Sequence, residues 1–116
     1  MTDYNPVQVE AAIRKCATDI ARGVGICGEA YAEFLTADRV YDAAFARAYL
    51  AATGPAHTRK YTAELATQTE REQRDVADTT YRVADRRARA LEAELRALQS
   101  VGASIRQAYE VAGRGA

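Results

Sequence analysis

Residues 77–112, ADTTYRVADRRARALEAELRALQSVGASIRQAYEVA, place Ala77, Tyr81, Ala84, Ala88, Leu91, Leu95, Leu98, Gly102, Ile105, Tyr109 and Ala112 at spacings that alternate between four and three. None of the eleven is charged. A stripe sustained over about five heptads with only apolar or small residues at its a and d positions demands a partner helix along nearly its whole length.

Working outward, the 116 residues allow one small domain, and a 48% apolar, 28% charged composition is that of a folded chain. Ala, Arg, Glu and Leu crowd the second half, Trp is absent, and the two prolines, Pro6 and Pro55, lie outside the periodic segments. Nothing reads as a sheet. The formal net charge is zero, so global electrostatics announce neither nucleic acid nor an anionic membrane, and any such function must rest on a local patch. The basic residues are nearly all Arg, Lys15 and Lys60 being the exceptions, which a GC-rich genome accounts for better than phosphate selection does.

No apolar run is long enough for a bilayer, and Met1-Thr2-Asp3-Tyr4 has neither a basic nor a hydrophobic leader segment, so a cytoplasmic location is expected. Cys16 and Cys27, if they share one helix, stand roughly 16 Å apart, too far for a disulfide, and read as reduced core thiols.

Along the chain, Asn5-Pro6 reads as an N-cap followed by proline at the first helical position. Val9, Ile13, Cys16 and Ile20 then form a buried stripe, and Gly23, Gly25 and Gly28 interrupt it. Two readings stand: a turn or weak point between helices over 6–22 and 29–53, because each glycine costs a helix interior about 1 kcal/mol relative to Ala, or one continuous helix whose stripe passes from Ile20 through Val24 to Cys27, Tyr31 and Phe34. Beyond, Tyr31, Phe34, Tyr41, Phe45 and Ala48 share one side, flanked by Leu35 and Tyr49, with Asp38 as the one charge. Gly54-Pro55 stops the helix and reverses the chain. A short helix over 58–66 follows, and Thr67-Gln68-Thr69-Glu70 matches the capping box that opens a long helix over 69–112, although Thr69 fits the same template.

The expected fold is all-α: a single domain, an elongated antiparallel helical hairpin or coiled coil with a long C-terminal helix, whose aromatic first arm interdigitates with an Ala/Leu-rich second arm. A thin hairpin covers one side of each arm, so self-association is expected, with the main oligomer contact at Leu91, Leu95, Leu98, Val101, Ile105 and Tyr109.

Catalysis finds little to work with. His57, the only histidine, sits in a Gly-Pro loop without a Cys or carboxylate cluster of metal-ligand spacing. Residues 23–28 match GxGxxG, but the motif follows an amphipathic helix rather than a strand, so dinucleotide binding is discarded. No enzyme, metal or cofactor is expected. What remains is electrostatic: Arg82, Arg86, Arg89 and Arg96 follow helical spacing opposite the stripe, with Arg87 alongside. Repeated around an oligomer, and extended by Arg59 and Lys60, this ridge suits a phosphate backbone. Asp78, Asp85, Glu92 and Glu94 beside it suit a solvated, mutually neutralised face instead.

Residues 43–54, AAFARAYLAATG, then Thr62 to Thr67, then Leu91 through Tyr109 with Leu98-Gln99-Ser100 and Ser104-Ile105-Arg106, resemble the UvsY-like recombination mediators of bacteriophages over nearly the whole chain. The resemblance implies a ring-forming helical protein, located in the bacterial host cytoplasm, that binds single-stranded DNA and helps a phage recombinase displace the single-strand-binding protein. Arg59, Lys60, Arg82, Arg86 and Arg89 are then candidate phosphate contacts, and Leu95, Leu98, Ile105 and Tyr109 assemble the ring. The alternative class is a helical scaffold or assembly protein with no nucleic-acid activity.

Overall fold

The computed structural model describes residues 5–114; the leader reading on residues 1–4 lies outside them. Among the described residues there are three helices: α1 (Pro6–Ala51), α2 (Ala56–Ala66) and α3 (Gln68–Arg114). The described residues contain no strand.

Helix α1 opens as its sequence demands, and with one bond more than expected. The Gln8 amide donates to Asn5 Oδ1 at 2.8 Å while the Asn5 amide donates to Gln8 Oε1 at 3.1 Å, a reciprocal cap that satisfies two otherwise orphaned donors. Of the two readings at the glycines the continuous helix is the one found: α1 runs unbroken through Gly23, Gly25 and Gly28 for 46 residues. Packing of an amphipathic face supplies most helical stability, and here it outweighs a propensity cost of about 3 kcal/mol. The helix ends where Gly54 takes φ +101°, a left-handed conformation that a side chain would strain, and its carbonyl accepts from Arg59 Nε.

The stripe on α1 also has a different phase from the expected one. Gly23, Cys27, Ala30 and Phe34 continue from Ile20, with Ala30 buried, whereas Val24 and Tyr31, the bulkier choices, are 67% and 42% exposed. The four-three rhythm then holds from Val9 to Ala48 through Ala37, Tyr41 and Ala44, all covered at least in part.

The junction of α2 and α3 corrects a second expectation. The Thr67 hydroxyl donates backward to the Ala63 carbonyl at 2.7 Å and so does not close a capping box with Glu70. Thr67 terminates α2, and its carbonyl accepts from the Arg71 amide, the first bond of α3. Ala63 and Thr67 are buried there, and Glu70 Oε2 is left buried without a hydrogen-bond partner.

The chain packs as two units, residues 1–25 with 85–116 and residues 26–84. In the first, α1 and α3 run antiparallel. A Cβ on Gly102 would stand 3.2 Å from Val9 Cγ1 and 3.9 Å from Ile13 Cδ1, and the Cys16 thiol donates to the Leu91 carbonyl at 3.2 Å. Val9, Cys16, Leu98 and Gly102 are buried and Ile13, Ile20, Leu91, Leu95 and Ile105 half-buried. In the second unit α1 and α3 are again antiparallel, and aromatic groups join them. The Tyr31 and Tyr81 ring centroids lie 5.1 Å apart, and Arg74 of α3 sits 4.5 Å over the Tyr41 ring, at the head of a row Tyr41, Phe45, Tyr49. Asp38, the one charge on the aromatic stripe, is answered by the same Arg74 at 3.9 Å.

The two thiols differ in accessibility. Cys16 is buried, and that burial, with Glu94 and Asp19 nearby, pushes its thiol above the usual range, while Cys27 is half-buried. Both are free, and α1 carries them on one helix as the spacing argument requires. Iodoacetamide labelling of the native protein, followed by peptide mass spectrometry, should modify Cys27 well before Cys16, because only an exposed thiolate reacts. Equal labelling rates would show that the Val9 to Leu98 region opens.

Candidate assembly seam and arginine ridge

The heptad stripe of α3 is legible in the burial. Every member from Ala77 to Ile105 is half-buried or buried, and only Tyr109 and Ala112 at the end are exposed. The partner this stripe demands is α1 of the same chain. Of the residues expected to assemble the oligomer, Leu91, Leu95, Leu98 and Ile105 are therefore covered within the first unit, and Val101 and Tyr109 are exposed. With 46 residues, α1 is nearly as long as α3, which has 47.

The pair nevertheless buries little. Among the described residues five apolar ones are buried, Val9, Cys16, Ala30, Ala63 and Leu98, and no large side chain is fully enclosed. Val7, Val24, Leu50, Leu65, Val76 and Val111 are each at least 65% exposed.

The arginine ridge resolves into two kinds of residue. Arg82 Nε donates to Asp78 Oδ1 at 3.0 Å, and Arg89 Nη2 lies 3.1 Å from Asp85 Oδ2, so both are occupied by an acid one turn earlier. Such exposed pairs contribute only a few tenths of a kcal/mol to stability, but they cancel charge where a phosphate would bind. Among the described residues Arg86, Arg87 and Arg96 make no ion pair, and all three are exposed. Glu92 precedes Arg96 at the same spacing without reaching it. Arg87 projects on the other flank of the helix from the Arg82, Arg89 and Arg96 row, one step of 100° from Arg86. In α2, Arg59 and Lys60 are exposed, the Arg59 Nε being engaged by Gly54. His57 is exposed too, and no group of His, Cys, Asp and Glu suited to a metal ion occurs among the described residues.

On α1, Lys15 Nζ donates to Asp19 Oδ2 at 2.8 Å, which holds the Lys15 ammonium above and the Asp19 carboxyl below their usual ranges. Among the described residues no helix is long and apolar enough to cross a membrane. Neither a family model, a curated protein nor a solved structure matches this chain.

Proposed function

We propose that this chain is a self-assembling helical mediator that binds single-stranded DNA in its assembled form and assists loading of a phage recombinase. The observation that carries the assembly half is the small core: two long helices cover each other's stripe yet leave about half of their Val, Leu and Ile side chains exposed. The ligand half rests on the UvsY-like resemblance, and it is supported by three exposed arginines, Arg86, Arg87 and Arg96, that no acid neutralises. Arrayed in an oligomer, even a few such groups per chain add up, since each phosphate contact releases condensed counterions. A second reading, a scaffold with no nucleic-acid activity, is favoured by the Asp78–Arg82 and Asp85–Arg89 pairs, which make half of the ridge electrically neutral.

Fluorescence anisotropy of a labelled single-stranded oligonucleotide separates the two. Under the mediator reading the protein binds at 20 mM salt, and the affinity falls by about tenfold or more on raising the salt to 200 mM, as two or more phosphate contacts require. Arg87→Glu with Arg96→Glu abolishes the binding while circular dichroism stays unchanged. Absence of binding at low salt leaves the scaffold reading, and binding that survives the double reversal moves the DNA contact off this helix.

A further inference from the structure

Helix α3 carries a second uncharged column besides the one α1 covers. Counting in sevens, Thr69, Val76, Val83, Ala90, Ala97 and Ser104 stand in line, and every one is exposed. Val76 is 67% and Val83 42% exposed. The columns that hold Arg82, Arg89 and Arg96, or Asp78, Asp85 and Glu92, are charged at the corresponding turns, so the absence of charge is particular to this face. Beside it, within the second unit, an open groove runs between Glu33 of α1 and Thr69, Glu72, Val76 and Thr80 of α3. Ile26 and Val40, one heptad before and after Glu33 on α1, are 52% and 47% exposed and widen the apolar edge.

We propose that this face docks a second copy of the same chain, α3 against α3, antiparallel about a two-fold axis at Thr79. The inference deepens the assembly half of the reading above and rests on it. Two features select a second copy as the occupant. The first is charge complementarity of the face with itself. Glu72 and Arg86 share the column of Thr79 and lie one heptad before and after it. A two-fold at Thr79 brings Glu72 of each copy to Arg86 of the other, twice over, which is the self-complementarity an isologous contact requires. Between those ion pairs Val76, Val83 and Thr80 of the two copies interleave as an uncharged seam. The second is the apolar character of the face: Val76 and Val83 are 67% and 42% exposed, and a second copy covers them with their own counterparts. Arg86 is then engaged by protein, and Arg87 and Arg96 are left to the phosphates.

The test is a charge swap read by light scattering and sedimentation at matched concentration, with circular dichroism as the control for folding. Both positions are exposed in the single chain, so neither change disturbs its core. Glu72→Arg alone and Arg86→Glu alone each place like charges in contact and should lose the assembled species. The double variant, Glu72→Arg with Arg86→Glu, restores opposite charges across the axis and should recover it. In addition, Thr79→Cys in a Cys16→Ser, Cys27→Ser background should form a disulfide-linked dimer on mild oxidation, whereas Arg82→Cys should not. A monomeric wild-type protein would sink the assembly reading and this contact together. An assembled wild-type protein whose mass is indifferent to both single reversals, or whose double variant stays dissociated, would overturn this face alone.

Discussion

Leu98→Glu should cost about 4 kcal/mol of stability and lower the midpoint of chemical denaturation accordingly, with a loss of helical circular dichroism at temperatures where the wild-type chain stays folded. Leu98 is the one large aliphatic side chain of α3 that is buried, at 7% exposure. One turn on, Gly102 brings α3 against Val9 and Ile13 of α1 closely enough that an added Cβ would stand 3.2 Å from Val9. Truncating a buried leucine costs 2–5 kcal/mol in general, and a carboxylate at the same place must also be desolvated or protonated. Against a whole-domain stability of about 5–15 kcal/mol the loss is large. Gln99→Glu, one residue away and exposed, is the control and should change stability by less than about 0.5 kcal/mol. Equal denaturation midpoints for the two variants would mean that Leu98 is not enclosed by α1 in solution.

That experiment probes the part of the fold most legible in the sequence. The stripe of α3 is strongly periodic and free of charge, and its burial follows the reading residue by residue from Ala77 to Ile105. The stripe of α1 was harder to phase because its decisive members are small. Hydrophobic bulk points to Val24 and Tyr31, but the covered column runs through Gly23 and Ala30 and leaves the bulky neighbours outside it. Small residues give almost no hydropathy signal, so the eye follows the wrong column. The capping box at Thr67 failed for a related reason. A threonine hydroxyl that ends one helix and begins the next can bond in either direction, and with one residue of connection Ala63 offers a carbonyl already in place. The Asn5–Gln8 box, by contrast, was there to be read once Gln is admitted beside Glu at the third helical position.

The candidate surface was half legible. Asp78–Arg82 and Asp85–Arg89 are acid-before-base pairs four residues apart, an orientation that agrees with the helix dipole, and both close. The arginines without such a partner could be picked out by the same rule, except Arg96, whose Glu92 stays out of reach. What periodicity in one chain could not reveal is which residues a neighbouring helix already covers. Leu91, Leu95 and Leu98 look equally suited to a partner in the same chain or in another, and only the unbroken course of α1 decides between them.

Replacing Gly23, Gly25 and Gly28 together by Ala should stabilise the protein by about 2–3 kcal/mol and raise Tm by roughly 10 °C in thermal melts followed at 222 nm. All three lie inside the continuous helix α1, and a Cβ built on any of them meets nothing within 4 Å, so the substitution gains helix propensity without a clash. The other glycines show why the environment, not the residue type, sets the sign. At Gly102 the same Cβ meets Val9 Cγ1 at 3.2 Å, so the propensity gain is offset by crowding and Gly102→Ala should be near neutral. At Gly54 the φ of +101° makes alanine strained whatever the space, and Gly54→Ala should destabilise. The three positions therefore order as stabilising, neutral and destabilising in one protein. A fall in Tm for the triple variant would show that the glycine surface of α1 is occupied in solution, by a second copy or another partner, closely enough that a methyl group cannot enter.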